Sequence, residues 1–343
     1  MSDTWAQISD LAFEAALAGY VVALVCYAIE LASRRGNDAA ETATASTALR
    51  AGNTGGTSTL VRTGGAADRD RIGAITRPVA TWGTRFGRAA VVVTTVGAAA
   101  NVISVITRGL AVGRLPLGNM YEFVSVICAA TTIVWLVVLA KTGARTLGTF
   151  VMLPVVILAV IAGARLYVPA APVAPALNSY WKWIHVTTVA ISSSILLVSG
   201  AASVLYLIRG RLERPLPAAQ TGPVTAGGGR PRSVLATLPS MATLDRIAYR
   251  TAIVGFPLFT FAVIAGALWA EVAWGRYWGW DPKETCAFIT WVFYAAYLHA
   301  RSTAGWRGQR AAWVCVLGFA SMLFNLFFIN MVVSGLHSYA GLN

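Results

Sequence analysis

The sequence predicts an all-α polytopic membrane bundle of about eight transmembrane helices, with both termini extracytoplasmic. Three observations predict it. Of the 343 residues, 57% are hydrophobic and only 12% are charged, the balance of a membrane protein and not of a soluble core. The apolar residues gather in runs near the roughly 20 residues that span a bilayer. The basic residues alternate between loops: 21 of the 27 lie in 34–88, 141–147, 209–250 and 301–310, and six in 108–120, 165–183 and 274–283. The first set belongs in the cytoplasm by the positive-inside rule. The formal charge of +13 therefore reports topology. It implies anionic lipid as a secondary partner and no nucleic acid.

Eight runs qualify as spans: 12–33, 89–107, 122–140, 148–166, 184–208, 251–273, 284–300 and 311–333. Backbone groups in lipid must be paired within their own segment, so each run is read as a helix. Met1–Leu11 has no basic residue and Arg34-Arg35 follows the first run, which sets the N-terminus outside. The first run is too long, and lacks the positive flank, for a cleavable signal peptide. Three segments follow: 1–33 as a first transmembrane helix, 34–88 as an Ala/Thr/Gly/Arg-rich flexible cytoplasmic linker, and 89–343 as the main membrane domain. A second linker occupies 211–233. Beyond it Leu238, Met241, Leu244 and Ile247 recur every three residues, which fits an amphipathic surface helix or a simple extension of the sixth span. Pro257 can kink that span. Glu14, Glu30 and Glu122 lie close enough to span ends to reach an interface, and Asn101, Asn325 and Asn330 are read as interhelical hydrogen-bonding residues. Cys26, Cys128, Cys286 and Cys315 stand singly, without CxxC or CxxCH spacing. They are read as small hydrophobes, so the chain is not itself a c-type cytochrome.

The densest chemistry lies in Trp274-Gly-Arg-Tyr-Trp-Gly-Trp-Asp-Pro-Lys-Glu284, at the outer mouth of a span. A single Trp there is better explained by the interfacial aromatic belt. Trp274, Tyr277, Trp278 and Trp280 together, running into Asp281, Lys283 and Glu284, make a platform against which a large planar ligand can lie. Arg276 and Lys283 could meet its carboxylates. Asp281 and Glu284 are assigned to positioning the loop or binding a partner. The chain has three histidines. His185 and His337 fall on the same side as the platform and could ligate one haem iron from opposite faces; each alone would be an ordinary interfacial residue. His299 lies 15 residues beyond Glu284, about 22 Å deeper along a helix. It reads either as a hydrogen bond to a neighbouring helix or as an axial ligand at an inner site, which would need an imidazole from another protein.

These residues resemble a known family. Trp274-Gly-x-Tyr-Trp-Gly-Trp-Asp-Pro-Lys-Glu-Thr285 is similar to the WWD signature of haem-handling membrane proteins. The Asp-Pro-Lys-Glu ending resembles the CcsA/ResC subunit of System II cytochrome c biogenesis. Agreement extends to Pro116–Phe123, Leu244–Arg250, Gly255–Leu258, Tyr297–Arg301 and Gly335–Tyr339. The resemblance implies that His185 and His337 are external haem ligands and that His299 is the intramembrane histidine receiving haem b near the cytoplasm. It implies a ResB/Ccs1-type membrane subunit supplying the second inner histidine, an apocytochrome c with a CxxCH segment as client, and a thioredoxin-like thiol reductant. It also implies a subunit of a holocytochrome c synthase, and the 24 Arg against 3 Lys point to the cytoplasmic membrane of a high-GC bacterium. The departures are Arg276 and Tyr277, where relatives vary in aromatic content. Competing expectations are a System I haem handler loading a chaperone, a small-molecule transporter with a Trp-lined vestibule, and a purely structural membrane subunit.

Overall fold

The computed structural model describes residues 2–52, 80–171, 179–213, 238–329 and 332–333. Eight long helices account for nearly all of them: α1 (Ser2–Gly52), α2 (Ala80–Val112), α3 (Met120–Thr142), α4 (Gly148–Arg165), α5 (Tyr180–Leu212), α6 (Met241–Trp274), α7 (Pro282–Ser302) and α8 (Gln309–Phe324). A 3₁₀ turn, Arg145–Leu147, leads into α4, and a π turn, Asn325–Ile329, continues α8. Among the described residues there is no strand. Each predicted span coincides with one helix. Seven of the helices are long and apolar enough to cross a membrane. The eighth, α7, has charged ends, but its 21 residues reach about 31 Å, enough for a hydrocarbon core.

Helix boundaries follow local chemistry. Asn119 caps α3 by accepting the Glu122 amide, and Gly143 closes it in the left-handed conformation. Ser240 caps α6 through the Thr243 amide. Of the two readings of 238–247, the extension is the one observed: α6 begins at Met241 and runs unbroken through Pro257 to Trp274, with Leu238, Leu244 and Ile247 buried. Both ends of the 34–88 segment are helical, since α1 continues to Gly52 and α2 starts at Ala80.

The bundle forms two groups. α1 lies along α2, with α1 packing on α4, α2 on α3, and α3 on α4; α5 lies along α6, with α7 and α8 completing the second group and α3 meeting α5 across the seam. Lipid offers no hydrophobic drive for helix association, so small residues and hydrogen bonds must join these helices. They do. A methyl added to Gly19 would come 3.2 Å from the Gly97 Cα. Asn101 donates to Tyr20 Oη (3.2 Å) and accepts from Ser125 Oγ (2.9 Å). Ser199 Oγ donates to the Ala248 carbonyl (2.8 Å), and Ser194 Oγ reaches the Ile127 carbonyl (3.3 Å). The four cysteines are buried and unlinked.

Two glutamates depart from the expectation that they reach an interface. Glu30 is 1% exposed and meets Arg145 Nη2 at 3.2 Å. Glu122 is also 1% exposed. It receives Arg108 Nε (3.3 Å), Arg114 Nη1 (2.8 Å) and the Gly118 amide (2.7 Å). Arg108 also donates to the Val168 carbonyl and lies 3.7 Å from Asp10. The charges are spent inside the bundle because each desolvated carboxylate finds an arginine there; Glu14 alone stays exposed. Replacing Glu122 by Ala removes the carboxylate shared by buried Arg108 and half-buried Arg114, so folding stability should fall by about 3 kcal/mol. Thermal unfolding in detergent micelles checks this, and an unchanged midpoint would count against the network.

Candidate functional site

The loop between α6 and α7 is built by two helix caps. Trp274 is the last residue of α6, and Gly275 follows at φ 69°, donating its amide to the Glu271 carbonyl. A side chain there would be strained, which is why glycine ends the helix. At the other end Asp281 caps α7, Pro282 takes the first position and Glu284 the third, forming a reciprocal capping box. Glu284 Oε2 accepts the amides of Gly279 (2.9 Å) and Asp281 (3.2 Å) and lies 3.7 Å from Arg276 Nη1. One carboxylate thus fastens three points of the loop. Trp280 sits at φ 57°, a conformation non-glycine residues rarely hold unless their surroundings enforce it. Thr285 Oγ1 donates to the Trp280 carbonyl at 3.2 Å.

Beneath this loop lies a cleft open at its mouth. Its walls come from the start of α3 (Leu117–Met120, Phe123), from α5 (Lys182, His185, Val189), α6 (Phe259, Val263, Gly266, Trp269), α7 (Lys283, Ala287) and the end of α8 with its π turn (Met322, Asn325). The lining is mostly apolar, with a few polar groups converging at the loop end.

His185 is fixed from two sides. Its Nδ1 lies 2.8 Å from the Ala262 carbonyl, which makes Nδ1 a donor, and metal-ligating imidazoles are commonly oriented by such a bond from their other ring nitrogen. Its ring stacks on Trp269 with centroids 6.0 Å apart and planes at 25°. Trp269 in turn meets Trp274 at 5.2 Å. Glycine at 266 makes room: a methyl there would fall 2.7 Å from both Cε1 and Nδ1 of His185.

The predicted site residues divide accordingly. His185, Trp274, Tyr277, Trp278 and Lys283 line the cleft. Trp280, Asp281 and Arg276 are not in its wall. Trp280 is 65% exposed and packs edge-on against Trp278 and Phe288. Asp281 is 8% exposed, occupied with its cap. Arg276 faces Glu284. His337 lies outside the described residues, as does Asn330. His299 is in the last turn of α7, with its side chain exposed on the outside of the bundle; among the described residues it makes no side-chain hydrogen bond, so a bond to a neighbouring helix is not what occupies it. Arg301, two residues on, ties this end to α6 through Asp245 (2.6 Å) and the Tyr249 ring (4.9 Å). Sequence reasoning missed Trp269, Gly266 and Lys182. Ala262, Gly266, Trp269 and Ala270 share one helical face, a spacing that was open to reading. Lys182 was in view within Tyr180-Trp-Lys-Trp183, but its burial was not.

Fold and cleft together define a multi-pass helical membrane protein with an imidazole set into an aromatic-roofed cavity. Residues 117–337 match the family model described as cytochrome C assembly protein. The chain is 37% identical over 268 residues to the cytochrome c biogenesis protein CcsA of Microcystis aeruginosa, covering 68% of this chain and 81% of that protein. It is 36% identical to CcsA of Guillardia theta, covering 69% and 80%. The chain belongs to the cytochrome c assembly protein family, in its CcsA branch. Among solved structures it resembles the cytochrome c haem lyase CcmF, with a TM-score of 0.59 at 15% identity. That likeness covers 94% of this chain but 46% of the lyase, so it speaks for the fold alone.

The anchoring role of Glu284 is open to test. Glu284→Ala should speed amide hydrogen exchange at Gly279 and Asp281 and lower stability by about 1 kcal/mol, while amides inside α6 keep their protection. Unchanged exchange at both amides would refute the anchor.

Proposed function

We propose that this protein handles haem b as its cargo and presents it for covalent attachment to apocytochrome c. The observation that carries the reading is His185. Its Nδ1 is held by a backbone carbonyl and its ring by Trp269, inside an apolar cleft roofed by Trp274, Tyr277 and Trp278. A planar macrocycle with a metal centre and acidic edges is suited by those features: aromatic faces, an oriented imidazole and nearby cations. Membership of the CcsA branch supports the same direction.

In this reading haem enters at the cytoplasmic face of a bacterial plasma membrane. His299, exposed on the flank of α7, contributes one axial ligand, and a histidine of a ResB/Ccs1-type subunit contributes the other. The outer site takes His185 from α5 and His337 from beyond α8. Both termini and the 274–284 loop then lie outside, as the charge pattern predicts. At the outer site the apocytochrome's two CxxCH thiols add across the haem vinyl groups. Each sulfur bonds to a vinyl carbon and each thiol hydrogen ends on the neighbouring carbon, so no external oxidant is consumed. The thiols must arrive reduced, which gives a thioredoxin-like reductant its place. The protein's part is positioning: the imidazole and the ring wall hold the macrocycle still while the client is brought to it. Lys283 is a propionate contact from the cleft wall. Arg276 would have to leave Glu284 to become one, and Asp281 serves the loop.

Absorbance spectra of the protein purified with its partner test this. His185→Ala and His337→Ala should each diminish the outer haem signal, and His299→Ala should lower total loading. Gly266→Ala, which displaces the His185 ring without removing it, should weaken outer-site binding about tenfold or more. Full haem content and normal cytochrome c maturation in all the variants would overturn the reading, and a wild type without haem absorbance would favour a transporter.

A further inference from the structure

Lys182 is the third residue of α5, three before His185, and it lines the same cleft. It is 2% exposed. Its ammonium is buried without a hydrogen-bond partner among the described residues; the face of Trp183 lies 4.6 Å away. An aromatic face attracts a cation but accepts none of its three N–H bonds in full. The charged groups that act on Lys182 through the bundle are Arg114 and Glu122. Glu122 is already taken up by Arg108 Nε, Arg114 Nη1 and the Gly118 amide. The other acid of this cluster, Asp10, is engaged by Tyr167 Oη at 2.7 Å and faces Arg108. Three cations thus share two carboxylates at the loop end of the bundle, and the one left over is the one in the cleft wall. A desolvated ammonium in that position calls for an anion.

We propose that Lys182 is a carboxylate anchor of the cleft and that it holds one propionate of the haem whose iron His185 ligates. The inference rests on the haem reading above and adds a binding residue to it. Lys182 and His185 project from consecutive turns of one helix, so a ligand can meet both at once. Arg276, which the sequence offered for this task, is already drawn to Glu284.

Titration of the full chain in detergent with haem and with haem dimethyl ester, whose two carboxylates are blocked, provides the test. Wild type should bind haem about tenfold more tightly than the ester. Lys182→Met should remove that preference by weakening haem alone, and Lys182→Arg should restore most of it. Equal wild-type affinity for the two ligands overturns the anchor without needing any variant, as does a Lys182→Met loss that is the same for both. A wild type that binds neither ligand overturns the haem reading itself, and so is distinguishable from failure of the anchor.

Discussion

The hydrogen bond between His185 Nδ1 and the Ala262 carbonyl is the contact on which the cleft depends. It crosses between α5 and α6, the two longest neighbours of the second helix group, and it exists only because position 266 carries no side chain. That one bond sets the imidazole's tautomer, its tilt and its distance from Trp269. Everything else in the wall is arranged around it: the Trp269–Trp274 pair above, the aliphatic floor of α5 and α8 below, and the capped loop overhead. A methyl group at position 266 would displace the imidazole while deleting no functional side chain.

A second economy operates at the same end of the bundle. Glu122 and Glu284 are each surrounded by several donors, so each organises a turn or a loop as well as neutralising a cation. In a low-dielectric setting such carboxylates have few cheaper ways to be satisfied. Glu122 closes the turn between α2 and α3, which forms one lip of the cleft. Glu284 closes the loop that forms the other. The opening is thus framed by two acid-centred turns that hold their backbones in place before any ligand arrives.

Much of this was legible in the sequence, for physical reasons that can be named. The spans were legible because lipid demands long apolar runs. The aromatic segment stood out by density alone. The Asp281-Pro-Lys-Glu284 cap is also a local signature, with an N-cap acid, proline at the first position and Glu at the third. What could not be read was tertiary. Nothing local says that Trp280 turns away from the cleft while Trp278 faces it, because that follows from a positive φ enforced by the loop's hydrogen bonds. Nothing local says that Arg276 faces Glu284, or that the buried ammonium of Lys182 has no hydrogen-bond partner among the described residues. The exposure of His299 likewise depends on which side of α7 its neighbours cover.

α7 has a further consequence. It is fastened at one end by its capping box and at the other by Arg301 to Asp245 and Tyr249. Between Glu284 and His299 it is an unbroken rod of about 22 Å. An α-helix does not shorten appreciably without losing its own hydrogen bonds, and in lipid that loss has no solvent to soften it. The rod therefore works as a ruler: the interval between the loop above and the imidazole below is constant. In the proposed reading, a cargo held first near His299 and then under the loop would have to cover that distance itself, because the two levels cannot be drawn together.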